Sequence, residues 1–209
     1  MQTDTPQRRL KEKLREVRTG LILDVAEKVL VEKGYRDTSM DEIAAHAGVA
    51  KGTLYQHFSR KEDLVFALFE RSLAQFEQTV QQTAVSPLTA RAKLERILLS
   101  VCQQQRGPHA QLLQLLYHNV DIRKGLFEKK EQLRDRLEQC AAQIRSIVEK
   151  GKAEGEFDPT IPTELMVLTF MRSLWLSQSE QLLVQEQLSP EELARQVGRM
   201  LFDGFAIKK

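Results

Sequence analysis

EKGYRDTSMDEIAAHAGVAKGTLYQHFSRKEDL, residues 32–64, alternates short apolar clusters with residues that start and stop helices. Gly34 closes a preceding apolar run, since a residue without Cβ accepts the left-handed backbone at a helix end. Ser39-Met-Asp-Glu42 and Ser59-Arg-Lys-Glu62 both have the spacing of a capping box. In that motif the Ser oxygen accepts the third helical N–H and the Glu carboxylate reaches back to the cap. Helices are predicted to begin at both sites, with a further short one over about 50–58, reached through Gly48-Val49 after a helix over about 40–47.

A helix-turn-helix needs a bracing helix, a tight turn, and a second helix whose buried side locks onto the first while its exposed side enters the major groove. Ile43, Ala44 and Ala47 supply the inward side of the first helix, with small alanines permitting close approach. Gly48 makes the turn, and Val49, Leu54 and Phe58 close the small core. Lys51, Gly52, Thr53, Tyr55, Gln56 and His57 remain for the other arc. Lys51 and Tyr55 lie one turn apart, and both end in groups that hydrogen-bond to base edges or phosphate. Gly52 costs about 1 kcal/mol in a helix interior relative to Ala, which makes sense where a backbone must approach something closely. Thr53 offers a hydroxyl and a methyl, and His57 and Lys61 can donate to phosphate. Read from pattern alone, the same residues also suit the polar surface of an ordinary helical hairpin.

Upstream, Leu10, Leu14, Val17, Leu21, Val25 and Val29 recur every three or four residues and form one helical stripe that ends at Gly34. Arg8, Arg9, Lys11, Lys13, Arg15 and Arg18 face only Glu12 and Glu16, a local excess of positive charge that reads as a solvated face or as a DNA-contacting arm. Downstream, long helices are predicted over Leu64 to Thr83, Pro87 to Gln105, His109 to Tyr117, Asp121 to Lys150, Thr163 to Gln185 and Pro190 to Phe205. Ser86-Pro87 and Ser189-Pro190 pair an N-cap with proline at the first helical position, and Ser189 to Glu192 is a third capping box. The segment from Gly151 to Pro159 reads as a loop. No strand alternation or internal repeat occurs, so the class is all-α.

The whole chain of 209 residues carries a net charge of only +2, so any case for nucleic acid rests on local distribution. No apolar run approaches the roughly 20 residues that span a bilayer, and the polar, basic start lacks the apolar core of a secretory signal. Cytoplasmic residence without membrane association is the expectation. Cys102 and Cys140 stand far apart outside any Cys/His cluster, which points to buried, reduced thiols and no metal site. Catalysis is not expected: there is no phosphate-cradling Gly-rich loop or nucleophile elbow, and His46, His57, His109 and His118 share no motif. No cofactor is expected.

Residues 32–64 closely resemble the DNA-binding module of the TetR/AcrR family of bacterial transcription regulators, and the likeness extends into the flanking helices. By that resemblance, Lys51, Gly52 and Tyr55 match positions that commonly face bases. Thr53, His57 and Lys61 match phosphate-contacting positions, Ser39 lies near the backbone at the start of the first motif helix, and Gln56 falls at a variable position. The resemblance implies a helix-turn-helix domain over 8–65 and a larger helical domain over 66–209 for ligand binding and dimerisation.

That second domain has no comparably specific motif. Leu165, Met166, Leu168, Phe170, Met171, Leu174, Trp175 and Leu176 cover more than one face of one helix, and Leu193, Val197, Met200, Leu201 and Phe205 stripe the last. A helix apolar on several sides must be covered on several sides, so a homodimer through the last two helices is expected. Arg106, His109, Tyr117, His118, Arg145, Phe170 and Trp175 are the candidate lining of a pocket for a hydrophobic small-molecule effector. The functional expectation is a repressor released by such an effector from a palindromic operator in double-stranded DNA. The alternative is a ligand-independent architectural or nucleoid-associated DNA-binding protein.

Overall fold

In the computed structural model, residues 6–104, 130–176 and 188–205 are described, and they form eight helices with no strand among them. In chain order these are α1 (Pro6–Asp37), α2 (Met40–His46), α3 (Lys51–His57), α4 (Lys61–Ala84), α5 (Ala90–Gln104), α6 (Lys130–Ala153), α7 (Thr163–Leu176) and α8 (Pro190–Phe205). The helix expected over His109 to Tyr117 lies outside the described residues, as do the start of the one expected from Asp121 and the end of the one expected to reach Gln185.

Two large apolar cores organise the helices, with a small third cluster of Phe66 and Leu73 of α4 and Leu133 of α6. The head core joins Ile22, Ala26 and Leu30 of α1 to Ile43 and Ala44 of α2, Leu54 of α3 and Leu64 and Leu68 of α4. The body core gathers Leu94, Ile97 and Leu98 of α5, Ile144 and Val148 of α6, Met166 and Phe170 of α7, and Leu201 and Phe202 of α8. Each fully buried aliphatic side chain contributes about 1.5–3 kcal/mol. Helix α4 belongs to both cores, because Leu64 and Leu68 sit in the head and Val80 sits in the body.

The predicted breaks are mostly present, with three changes. Right-handed geometry stops at Gly34, whose φ of 81° suits only glycine. Ser39 caps α2 by accepting the Glu42 N–H at 3.2 Å, and Ser189 caps α8 by accepting the Glu192 N–H at 3.0 Å. The expected box at Ser59 is displaced by one residue: α4 begins at Lys61, and the Asp63 carboxylate accepts the Arg60 N–H at 3.2 Å. Glu62 is occupied by the Tyr35 hydroxyl at 2.7 Å, so it does not reach back to Ser59. Ser86-Pro87 does not open α5. Ser86 bonds back to the Thr83 carbonyl at 2.7 Å, and α5 starts beyond Thr89, whose hydroxyl accepts the Ala92 N–H.

The α5 start has a second, distant partner. Both oxygens of Glu156 accept from the α5 N-terminus, taking the Ala90 N–H at 2.9 Å and the Arg91 N–H at 3.0 Å. Burial opposes charge on this carboxyl, but these N–H groups and the Thr89 hydroxyl outweigh it and hold its pKa below the ordinary value. Gly151, expected in a loop, is inside α6 and tightly covered: a Cβ there would lie 2.5 Å from the Phe157 ring and 2.7 Å from the Ala90 Cβ. The helix is released at Gly155, with φ of 76°. There the N–H groups of Glu156 and Gly155 bond to the Gly151 and Lys152 carbonyls, the paired bonds of a Schellman motif.

The apolar stripe of α1 is buried only in its second half. Val29 is buried, but Leu10, Leu14, Val17 and Leu21 are between 55% and 63% exposed. Met200 of α8 also departs from expectation, being 81% exposed, because α8 turns Leu193, Ala194, Leu201 and Phe202 toward α5.

Candidate nucleic-acid interface

The turn between α2 and α3 is a second Schellman closure. Gly48, at φ of 63°, donates to Ala45 O at 3.2 Å while Val49 donates to Ala44 O at 3.0 Å. That geometry turns the chain sharply enough for Leu54 and Phe58 to bury against Ile43 and Ala44, as the apolar spacing requires. Burying Leu54 completely fixes which side of α3 faces outward. Lys51, Gly52, Tyr55 and Gln56 are exposed, and Thr53 and His57 lie at the margins.

Each expected contact residue has a definite setting. The Lys51 ammonium bonds to the Asp41 carboxylate of α2 at 2.7 Å, which raises its pKa, and sits 5.9 Å from the centre of the Tyr55 ring. Lys51 and Tyr55 thus form one exposed ridge. A Cβ added at Gly52 would meet nothing within 4 Å, so no neighbour in the chain demands a glycine there. Ser39 spends its hydroxyl as the α2 cap.

His57 is tied to α1, its Nδ1 lying 2.9 Å from the Thr19 hydroxyl, which itself donates to Arg15 O at 2.8 Å. With the hydroxyl proton directed at that carbonyl, Nδ1 is the donor to Thr19 and Nε2 is left as an acceptor in the neutral ring. Burial, then the nearby charges of Arg15 and Arg18, lower the His57 pKa. Lys61 is turned inward: its ammonium donates to Tyr35 O and, at 2.7 Å, to Thr38 O, and lies 4.1 Å from the Tyr35 ring centre. Burial lowers its pKa, partly opposed by Glu62 and Asp37.

Lys11, Leu14, Arg15 and Arg18 of α1 and Gln56 and His57 of α3 line an open cleft of about 440 Å³. The basic segment of α1 is thereby brought beside the outward face of α3. Thr19, Asp41 and Tyr35, which orient His57, Lys51 and Lys61, were not legible in the sequence. Two of these three pairs join residues far apart in the chain, and neither partner has a motif of its own.

Among the candidate pocket residues, Arg106, His109, Tyr117 and His118 lie outside the described residues, as does the side chain of Trp175. Phe170 is fully buried, its ring centroid 6.4 Å from that of Phe202. Arg145 bonds with its Nη2 to Glu164 at 3.1 Å and to Glu138 at 3.4 Å. The side-chain carbonyl oxygen of Gln143, on α6, is buried and has no hydrogen-bond partner among the described residues, a feature that no motif announced. Cys102 and Cys140 are both buried, and burial pushes the Cys140 thiol up to about 11. No described helix is long and apolar enough to cross a membrane.

Comparison with known proteins agrees with this geometry. The family described as "Bacterial regulatory proteins, tetR family" matches residues 22–68, which are the head. The fatty acid metabolism regulator protein of Bacillus subtilis (strain 168) is 28% identical over 144 residues, covering 69% of this chain and 73% of that protein. The transcriptional repressor KstR2 of Mycobacterium tuberculosis is 27% identical over 164 residues, covering 77% and 79%. The crystal structure of FadR from Bacillus subtilis in complex with stearoyl-CoA shares the fold, with a TM-score of 0.72 at 23% identity, covering 88% of this chain and 98% of that one. The head, residues 22–68, thus matches the tetR family of bacterial regulatory proteins, and its geometry and these relatives agree on a DNA-binding transcriptional regulator.

Proposed function

We propose that this chain is a repressor that binds a two-fold symmetric operator as a homodimer and leaves it when a hydrophobic small molecule occupies the body. Gly52 carries the DNA-binding half of this reading. It sits inside a helix at a cost of about 1 kcal/mol, the chain around it is open, and it is flanked by exposed Lys51 and Tyr55. Close approach of a groove supplies the reason that the chain itself lacks. In this reading Lys51, Gly52 and Tyr55 meet base edges, while Thr53, His57 and the arm residues Lys11, Arg15 and Arg18 meet phosphates. Lys61 shapes the head through Tyr35 and Thr38, and Ser39 positions α2 beside the backbone.

The dimer reading is supported by Leu165 and Leu168 of α7 and Met200 of α8, which are 53%, 56% and 81% exposed. Pairing α7 and α8 across a two-fold axis would cover them in a four-helix arrangement. Two reading helices about 34–36 Å apart would then enter successive major grooves. The effector must bind the state with the wrong spacing more tightly, since equal affinity shifts nothing. The stearoyl-CoA named in the FadR complex makes long-chain acyl thioesters the first class to test. The buried Gln143 oxygen, without a partner among the described residues, would offer such a ligand an acceptor on α6.

The test is binding to the DNA upstream of this protein's own gene across a salt series, for the wild type and Tyr55→Ala, followed by titration with stearoyl-CoA. Affinity should fall steeply with salt, and Tyr55→Ala should cost about 1–3 kcal/mol at the specific site. Stearoyl-CoA should then release the DNA. Equal binding to random DNA, with no response to acyl thioesters, would replace this reading with the architectural one.

A further inference from the structure

The first half of α1 presents a surface that the head does not use. Residues 7–18 are all exposed, and Leu10, Leu14, Val17 and Leu21 are 60%, 55%, 63% and 59% exposed. Their steps of four, three and four residues are those of a heptad seam, with Leu14 and Leu21 at a positions and Leu10 and Val17 at d. At 100° per residue this seam lies nearly opposite the side that buries Ile22, Ala26 and Leu30 in the head core. Leu14, at one edge of the seam, also borders the cleft beside α3, while Leu10, Val17 and Leu21 have no part in that lining.

The residues bordering the seam narrow the choice of occupant. Lys11 and Arg18 fall at e positions and Lys13 at a g position, and none of the three has an ion-pair partner among the described residues. A second copy of α1 would set these cations against one another, whether parallel or antiparallel, because like charges at e and g select against pairing. A lipid surface would be met by a broader apolar face with aromatic residues, whereas this seam is a strict a/d stripe and residues 7–21 contain no aromatic. The chemistry that fits both seam and border is a helix with leucine-like residues at a and d and carboxylates at e and g.

We propose that the N-terminal half of α1 is a docking surface for an acidic amphipathic helix of a partner protein, paired as a short two-stranded coiled coil. The surface shares Lys11 and Arg18 with the basic cleft beside α3. Docking of an acidic helix therefore competes with phosphate for these two side chains and weakens DNA binding, independently of any ligand in the body.

The experiment uses the full-length protein and two labelled 21-residue peptides, both with Leu at a and d, one with Glu and the other with Lys at e and g, read by fluorescence anisotropy. The Glu peptide should bind and the Lys peptide should not. Salt should weaken the complex, and the triple variant Leu10→Gln/Val17→Gln/Leu21→Gln should bind at least about tenfold more weakly. Since these side chains are exposed, the variant should keep the wild-type melting temperature, which separates lost docking from lost folding. Equal binding of the Glu peptide to wild type and variant would overturn the proposal. So would wild-type self-association beyond the dimer, in sedimentation, that the triple substitution abolishes, which would assign the seam to a second copy. Binding to phosphatidylglycerol vesicles that the Glu peptide cannot displace would overturn it in favour of a membrane.

Discussion

Arg71 of α4 reaches back to α1, its guanidinium bonding to Glu27 at 2.6 Å and to Asp24 at 2.6 Å. Further along the same helix, Glu77 receives Arg136 of α6 in a two-pronged pair at 2.7 and 2.6 Å. One helix is thus bolted to the head at one point and to the body at another. Forked, partly buried pairs of this kind hold geometry better than single exposed ones. A double-mutant cycle with Glu27→Gln and Arg71→Met, followed by urea unfolding, should give a coupling of about 1 kcal/mol. A coupling indistinguishable from zero would mean that the pair positions nothing.

Gly52→Ala should move two measurements in opposite directions. With open space around the new Cβ, the helix gains up to about 1 kcal/mol of stability. Operator affinity should fall, because the methyl group occupies the space the DNA backbone or base edge would enter. Thermal unfolding and DNA titration on the same preparation check both signs, and a stabilised variant with unchanged affinity would remove Gly52 from the interface.

If His57 meets phosphate as proposed, operator affinity should depend on pH. Its folded pKa lies below the ordinary value, owing to burial and then to Arg15 and Arg18. The neutral ring therefore contributes stability that is present above the unfolded pKa of about 6.5 and is lost as pH falls through the folded value. Phosphate beside Nε2 favours the protonated ring, which can donate where the neutral one cannot. Operator affinity should rise as pH is lowered through this window, and His57→Gln should remove that component. A wild-type slope equal to the variant's would exclude His57 from phosphate contact.

Lys61→Met separates structure from electrostatics. Removing the ammonium leaves the carbonyls of Tyr35 and Thr38 without that donor, which should destabilise the protein by about 1–3 kcal/mol. The salt dependence of DNA binding should scarcely change if Lys61 meets no phosphate. A salt slope smaller by about one unit would show a direct contact.

Gly151→Ala should be among the more damaging small substitutions. The added methyl lies within 2.7 Å of both the Phe157 ring and Ala90, and overpacking of this kind costs about 1–3 kcal/mol. Denaturant unfolding measures it, and an unchanged midpoint would mean that the loop carrying Phe157 yields freely.

The head was legible because its information is local. Ser39 and Glu42, or Gly48 and Val49, act within one turn of each other, and spacing alone reveals them. The Ser59 box failed by one residue because Glu62 was claimed by Tyr35, a competitor from another helix that no local pattern announces. Ser86-Pro87 misled for a similar reason: the true start of α5 is stabilised by Glu156, remote in sequence. The stripe of α1 showed the opposite error. Periodicity reports that one face is apolar, but not whether the fold supplies anything to cover it, and from Leu10 to Leu21 it does not.

The division of the core has a consequence for the order in which the chain is made. Every residue of the head core has left the ribosome soon after Leu68. The body core waits for Leu201 and Phe202, about 130 residues later, or on the order of ten seconds at the usual 5–20 residues per second. During that interval the nascent chain carries a head able to close around a finished core while α5 still lacks the Glu156 that secures its first turn. Interrupted synthesis would therefore yield a fragment with a reading helix intact and its body unmade.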